Sequence, residues 1–227
     1  MKAAVIRFPG SNCDQDAYHA LKDQLGIEVE YVWHASGSLD GFQGVFLPGG
    51  FSYGDYLRCG AMAARAPIMA EVKRLADQGY PVIGACNGFQ VLCEAGLLPG
   101  ALMQNVHQKF ICQDVFLKAV NRSSPWTQGT ANVIKVPIAH GEGRYAADES
   151  ILKGLEDHDQ IAFRYCSPEG ESGESWNPNG SEHHIAGVLS KKGNVIGLMP
   201  HPERAANPQF GNTDGLSILS AFLLVKA

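Results

Sequence analysis

The sequence has no C-x-x-C pair, no long run of basic residues and no apolar stretch near the roughly 20 residues of a membrane-spanning helix. Its six cysteines are dispersed, which in a cytosolic chain argues against both a disulfide framework and a zinc site. The formal charge of −5 and the scattered lysines and arginines argue against nucleic acid or an anionic membrane as the main partner. No signal peptide precedes the strand-like residues that begin at Lys2, so we expect a cytoplasmic protein.

The composition suits a sizeable hydrophobic core. Hydrophobic residues make up 45% of the 227 residues, and charged residues make up 18%. A chain of this length fits one large α/β domain better than two small ones. Because no internal repeat or low-complexity linker divides the sequence, we predict one domain spanning residues 1–227.

Apolar runs alternate with helical patterns through the first hundred residues. Alternation without hairpin signals is typical of βαβ crossovers, which build a mostly parallel sheet with helices on both faces. The predicted strands are residues 5–8, 27–33, 45–47 and 81–85. The predicted helices are residues 14–25 and 61–78, the second with a kink near Pro67. In such folds the active groups lie at the carboxyl ends of the strands.

The second half of the sequence indicates a smaller antiparallel portion. Its predicted strands are residues 115–120, 132–137, 161–165, 185–189 and 195–199. Residues 170–180 are rich in Gly, Ser, Asn and Pro and are predicted to form a loop. An apolar helix from Thr213 to Val225 is expected to close the domain.

A cysteine at the apex of a strand–turn–helix pattern is the strongest chemical signal. Cys86 lies between the strand 81–85 and a helix that is predicted to begin near Phe89. Such an elbow pushes its side chain out of the sheet, and the tight bend needs small neighbours, which Gly84 and Gly88 supply. A thiol at a helix N-terminus lies near unpaired N–H groups and the positive end of the helix dipole, and both favour the reactive thiolate. The pattern predicts a nucleophile, although a Gly-rich turn around a buried cysteine has the same spacing.

A candidate base and its orienting acid follow the last predicted strand. Pro202 favours extended backbone at His201, and residues two apart in an extended segment project to the same side. His201 and Glu203 are therefore expected to lie side by side, with the carboxylate holding the imidazole. The alternative interpretation is a Pro-rich surface turn, which the presence of the cysteine elbow makes less favourable.

Acyl chemistry also needs hydrogen-bond donors for a developing oxyanion. The backbone N–H of Asn87 is one expected donor, and the turn Gly49-Gly50-Phe51 is the expected source of another, because glycines let the backbone approach a substrate closely. No pattern marks a metal site. The adjacent His183 and His184 project in different directions and receive no role.

These motifs resemble class I, triad-type glutamine amidotransferases. The residues from Gly84 to Gln90 match the G-x-C-x-G-x-Q elbow of that family, and His201-Pro202-Glu203 matches its H-P-E motif. Further segments narrow the resemblance to the glutaminase subunits of phosphoribosylformylglycinamidine synthases. Those segments are residues 7–12, 48–58, 137–145, 177–181 and 200–204.

The resemblance implies a flavodoxin-like fold and a glutaminase mechanism. Cys86 would attack the side-chain amide of glutamine, His201 would pass a proton to the departing ammonia, and Glu203 would orient His201. The residues implied for oxyanion and substrate binding are Gly50, Phe51, Asn87 and Gln90. The segment from His140 to Arg144 would lie near the glutamine site or the partner surface.

The resemblance also implies partners. Ammonia would pass to a separate synthase subunit that uses ATP and Mg²⁺ to convert formylglycinamide ribonucleotide to the amidine, and a small third subunit would join the complex. This subunit itself would need no cofactor. Three other interpretations stay open at this point: an amidotransferase subunit serving another synthase, a stress-response or peptidase-like cysteine protein, and a binding subunit without turnover.

Overall fold

The computed structural model describes residues 1–224. Its strands are β1 (Lys2–Arg7), β2 (Glu28–Trp33), β3 (Gly44–Leu47), β4 (Val82–Ala85), β5 (Ala101–Met103), β6 (Ile111–Ala119), β7 (Val133–His140), β8 (Arg144–Ala146), β9 (Ile161–Cys166), β10 (Ile185–Leu189) and β11 (Val195–Leu198). Its α-helices are α1 (Asp14–His19), α2 (Ile68–Asp77), α3 (Asn87–Glu94), α4 (Glu149–Asp157), α5 (Asp214–Leu219) and α6 (Ala221–Leu224). None of these helices is long and apolar enough to cross a bilayer.

A 9-stranded mixed sheet runs through the molecule in the order β2-β1-β3-β4-β11-β10-β9-β6-β7. The strands from β2 to β11 in this order pair in parallel, and the strands from β11 to β7 pair antiparallel. A separate two-stranded antiparallel sheet joins β5 to β8. The predicted combination of a parallel sheet and an antiparallel portion is confirmed, and β11 is the strand where one pairing mode changes to the other.

The central strands are apolar on both faces because helices cover both faces. In β1 the side chains alternate between two cores, with Val5 in one core and Ile6 in the other. The core around Val5 receives apolar residues of α1 and α5, whereas the core around Ile6 receives those of α2 and α3. The prediction of helices on both faces is therefore confirmed.

Prolines and local hydrogen bonds divide two of the predicted helices. The helix expected over residues 61–78 is interrupted where the kink was predicted, near Pro67, but the interruption is a full break: α2 begins only at Ile68, and a short 3₁₀ turn, Ala63–Arg65, precedes it. Ala66 has extended backbone, which is the conformation favoured before a proline, and Pro67 occupies the N-cap position of α2 without a side-chain capping bond. The closing helix is interrupted at Ser220, whose hydroxyl donates to the Ser217 carbonyl. The last residue of that predicted helix, Val225, lies outside the described residues.

The first predicted helix changes its winding part of the way along. Residues Asp14–His19 are α-helical, but Ala20–Gln24 form a π-helical turn. The turn buries Ala20 and Leu21, and Gly26 follows with a left-handed φ of 66°. The chain then reverses into β2, so the predicted element has the expected length but a wider final turn.

Candidate active site

Cys86 stands on a strained turn between β4 and α3. Its φ of 51° and ψ of −108° are unusual for a residue with a side chain. Its N–H donates to the Leu198 carbonyl at 2.8 Å, which fixes the turn to β11. A Cβ at Gly84 would lie 2.5 Å from backbone atoms of Gly88, and a Cβ at Gly88 would overlap the Leu47 carbonyl. The two glycines are needed because the first turn of α3 packs directly on β3 and β4.

His201 and Glu203 form a buried pair beside this elbow. Nδ1 of His201 lies 2.6 Å from Oε1 of Glu203, and both side chains are almost fully buried. The two side chains lie side by side as expected, but the extended backbone does not continue past His201, because Pro202–Arg204 form a 3₁₀ turn with Pro202 in its first position. The tight turn, rather than strand alternation, brings the carboxylate back to the imidazole.

The surroundings of His201 favour its protonated form. Burial opposes the charge, but the Glu203 carboxylate and the neighbouring Cys86 and Cys13 thiols outweigh it and raise the pKa of His201 well above its ordinary value. Nε2 of His201 is buried and has no hydrogen-bond partner of good geometry among residues 1–224. This nitrogen is therefore available to a group that enters the site.

Two small cavities meet at Cys86. The first, of about 140 Å³, also contacts Cys13, His201 and Arg204. The second, of about 160 Å³, also contacts Gln90 and Glu142. Both cavities share the walls formed by Gly50, Phe51, Phe110 and Ala139. Glycine is required near His201, since a Cβ at Gly49 would lie 2.7 Å from Cε1 of that imidazole.

The expected oxyanion donors differ in their availability. The N–H of Phe51 donates to the Gly10 carbonyl at 2.9 Å, so it is already engaged. The N–H groups of Gly50 and Asn87 make no hydrogen bond within the described part of the chain. Of the turn Gly49-Gly50-Phe51, Gly50 is therefore the residue with a backbone donor to offer, and Phe51 contributes its ring to the cavity walls.

Asn87 and Gln90 connect the elbow helix to the loops around it. The Asn87 side chain accepts from the N–H of Ser52 at 3.3 Å and donates to Oε1 of Gln90 at 2.8 Å. Nε2 of Gln90 donates to the Glu142 carbonyl at 2.5 Å. One continuous chain of hydrogen bonds thus runs from the loop at Ser52 through α3 to the turn at Glu142.

A buried polar network shapes the turn after β7. The His140 ring lies 3.1 Å from Oδ1 of Asn105, which also accepts from the N–H of Gly143. Asn179 donates to the Gly143 carbonyl at 2.8 Å. Burial, and then the charge of His201, lower the pKa of His140 to about 3, so this histidine is neutral. His140, Gly141 and Glu142 of this turn border the cavity beside Cys86, as expected for the segment from His140 to Arg144.

Sequence reasoning missed several residues that contact these cavities. Cys13 was expected to be an ordinary buried thiol, but it lies beside His201, and Nη2 of Arg204 is 3.1 Å from its Sγ. Asp55 and Phe110 also line the second cavity. The one available signal was position, because Cys13 follows the carboxyl end of β1, the edge where active groups gather. His183 and His184 lie elsewhere, where each pairs with a glutamate.

Comparison with known proteins gives consistent matches over nearly the whole chain. Residues 1–214 match the protein family described as the CobB/CobQ-like glutamine amidotransferase domain. A chain of the Thermotoga maritima structure described as PurLQS is 45% identical, with a TM-score of 0.86 over 98% of this chain and 97% of that one. A glutamine amidotransferase from Thermotoga maritima, 15% identical, shares the fold with a TM-score of 0.58 over 99% of this chain and 93% of that one.

Proposed function

Since the chain belongs to the CobB/CobQ-like glutamine amidotransferase family, we propose that it is the glutaminase subunit of a phosphoribosylformylglycinamidine synthase complex. The observation that carries the chemistry is the buried His201–Glu203 pair next to the cysteine elbow. The acceptor is supported by the segment resemblance and by the 45% identity to a chain of PurLQS.

The first half of the reaction forms a thioester. Cys86 passes its thiol proton to Nε2 of His201, and its sulfur attacks the side-chain amide carbon of glutamine. The oxygen that becomes negative accepts hydrogen bonds from the N–H groups of Asn87 and Gly50. His201 then gives a proton from Nε2 to the amide nitrogen, which departs as ammonia. Glu203 holds the imidazole by Nδ1 and stabilises its charge throughout this step.

The second half returns the cysteine. A water molecule that loses its proton to His201 attacks the thioester carbon, and glutamate leaves as Cys86 regains its thiol proton. Overall, glutamine and water give glutamate and ammonia, so the residues named need no cofactor for this chemistry. ATP and Mg²⁺ would be used by the synthase partner.

The second cavity is the proposed position of the rest of the glutamine molecule. Its wall includes Gln90, Asp55 and Glu142. Burial, and then the nearby Glu142, raise the pKa of Asp55, and its Oδ1 is buried with no hydrogen-bond partner in residues 1–224. An α-ammonium group next to Asp55 would supply the missing donor and a compensating charge.

The proposed pathway has further components. A synthase subunit would receive the ammonia and activate formylglycinamide ribonucleotide, and a small third subunit would complete the assembly. Such a complex would work in the cytoplasm, where the nucleotide substrates are made. The competing assignment is an amidotransferase that feeds a different acceptor.

One experiment tests the nucleophile and the acceptor together. The chain is mixed with candidate synthase subunits, ATP and formylglycinamide ribonucleotide, and glutamate release is followed with and without the acceptor. Cys86→Ala should abolish glutamine-dependent synthesis, because no thioester can form, but should leave ammonia-dependent synthesis by the partner intact. Glutaminase activity within a few-fold of wild type in that variant would refute the nucleophile. Stimulation by another acceptor would favour the competing assignment.

A further inference from the structure

An open cavity of about 650 Å³ lies away from the proposed active site, and no step of the proposed reaction uses it. Val195, the first residue of β11, forms part of its wall, whereas His201 follows the other end of that strand. The cavity is therefore at the amino end of β11. Its volume is within the range of about 300–1,000 Å³ that small-molecule sites occupy, whereas the two cavities at Cys86 are far smaller.

Part of the cavity wall is apolar. The segment that follows α3 and one face of α4 supply its larger apolar side chains, which are those of Leu97, Leu98, Pro99, Ile151 and Leu155. Gly96 and Gly154 lie among them, and a Cβ at either position would meet nothing within 4 Å. The space beside these side chains is thus open to a flat apolar group.

Another part of the wall is basic. Lys73 comes from α2, and Lys191 and Lys192 belong to the turn between β10 and β11. Asp77 draws two of the three together, because Nζ of Lys73 is 3.1 Å from its carboxylate and Nζ of Lys192 donates to its carbonyl at 2.7 Å. The exposed Lys191 ammonium makes no such contact within residues 1–224. With one carboxylate against three lysines, this wall concentrates positive charge in a chain whose formal net charge is −5.

A largely buried amide gives the cavity a hydrogen-bond acceptor. Gln160 is 6% exposed and lines the cavity, and its Nε2 donates to the Leu189 carbonyl at 2.8 Å. Its Oε1 has no hydrogen-bond partner within residues 1–224. A polar atom in so buried a residue is expected to bind a partner, because an unmade hydrogen bond costs free energy there. An amino group on a ligand would supply the missing donor.

We propose that this cavity binds a nucleoside monophosphate whose base carries an amino group. The apolar side chains contact the flat base, Oε1 of Gln160 accepts from its amino group, and the phosphate lies at Lys191, with Lys73 and Lys192 nearby. An inorganic anion would leave the apolar wall without a partner, and an uncharged apolar molecule would leave the lysines without one. Binding involves no covalent step and does not depend on the proposed glutaminase function.

The first test measures the affinity of the full chain for adenosine monophosphate by isothermal titration calorimetry. Adenosine and inorganic phosphate should each bind about tenfold or more weakly, because each lacks one part of the expected contacts. Purine riboside monophosphate, which lacks the amino group, should bind about fivefold more weakly than adenosine monophosphate. No measurable binding of adenosine monophosphate, or equally tight binding of phosphate alone, would overturn the site.

Two lysine variants test the position of the phosphate. Lys191→Gln should weaken adenosine monophosphate binding by about fivefold or more but leave adenosine binding unchanged, because it removes an ammonium that contacts the phosphate alone. Lys153→Gln is the matched control, since it removes the same charge from an exposed position of α4 outside the cavity wall. Its affinity should equal wild type. Equal affinities of the two variants would contradict the assignment.

A third variant fills the apolar side of the cavity. Gly154→Met should leave the fold intact, because a Cβ there meets nothing within 4 Å and methionine suits a helix. Circular dichroism and thermal unfolding check that it folds. The longer side chain should weaken binding of both adenosine monophosphate and adenosine by about tenfold or more, since it occupies the space of the base. Unchanged affinity in the folded variant would overturn the site. A chain without glutaminase activity that still binds adenosine monophosphate through Lys191 would refute the proposed function alone.

Discussion

The two nitrogens of His201 have different surroundings, and the difference assigns a separate task to each. Nδ1 is 2.6 Å from Glu203, so the carboxylate fixes the ring and supports its positive charge. Nε2 has no such partner within residues 1–224 and lies near two thiols. Loss of Glu203 leaves the second nitrogen in place, whereas loss of His201 removes both functions.

This asymmetry predicts a ranking of two variants. His201→Ala should lower the glutaminase kcat by about 10²- to 10⁴-fold, because no group remains to transfer the proton. Glu203→Gln should lower kcat by a smaller factor, since the imidazole that transfers the proton is still present. In other catalytic triads, too, loss of the orienting acid lowers kcat less than loss of the base. Single-turnover assays with both purified variants check the order. An equal or larger loss for Glu203→Gln would contradict it.

His140 predicts a pH dependence of stability. Its pKa is about 3 in the folded protein, against an ordinary value of 6.5. Between these values the unfolded chain binds a proton at this position that the folded chain does not, so the contribution of His140 to stability falls as pH falls from about 6.5. His140→Gln should flatten this dependence. Urea unfolding at several pH values from neutral to acid tests it, and parallel curves for the two proteins would contradict the assignment.

The triad residues were predictable because each lies in a short continuous motif. The order of the residues alone indicates the chemistry of two segments, Gly84 to Gln90 and His201 to Glu203. Cys13 lies in no such motif, and Asp55, although it lies in the segment 48–58, received no role from it. They reach the cavities only because separate loops meet, as where the Gly49 carbonyl accepts from the N–H groups of both Asn12 and Cys13. That meeting is a property of the folded chain.

At the scale of elements, buried strands were easier to predict than helix ends. β10 matches the predicted residues 185–189, and β3 exceeds its prediction by Gly44 alone, because both are short apolar runs. The helix α4 was missed, although Asp148 caps it by accepting from the N–H of Ile151 at 2.9 Å. The break at Pro67 follows from the proline in the sequence, whereas the break at Ser220 involves a single side-chain hydrogen bond that apolar periodicity does not report.

The space around two helical glycines, one in α3 and one in α4, predicts opposite effects for their substitution. Gly88→Ala should destabilise the protein by about 1–3 kcal/mol or more, because its methyl group would overlap the Leu47 carbonyl. Gly154→Ala, in the middle of α4, should stabilise it by about 0.5–1 kcal/mol, because a Cβ there meets nothing within 4 Å. Chemical denaturation measures both. A neutral Gly88→Ala would show that α3 can move away from β3.

At the scale of the whole molecule, the mouth of the site has exposed aromatic walls. Phe51 and Phe110 line both cavities yet are 47% and 55% exposed. The nearby loop carries positive φ angles at Tyr53, Asp55 and Leu57, each of which costs conformational energy in a residue with a side chain. Such a loop adopts its working shape more readily when another surface supports it.

We therefore expect the isolated chain to be a poor glutaminase. Addition of the synthase subunit and its acceptor nucleotide should raise kcat, because the partner surface would hold the loop around Tyr53, Asp55 and Leu57 in its working shape. Steady-state glutamate release from the chain alone, and from the reconstituted complex, measures the gain. Full activity in the isolated chain would contradict this expectation.

The parallel pairing of β4 with β11 also has a consequence for the rate of folding. Cys86 follows one of these strands and His201 follows the other, and the residues between them include the entire antiparallel half of the sheet. Parallel pairing between distant segments must close a long loop and is a slow step in folding. Recovery of glutaminase activity after dilution from denaturant should thus lag behind the return of helical circular dichroism. The length of this lag would measure how slowly β4 and β11 pair.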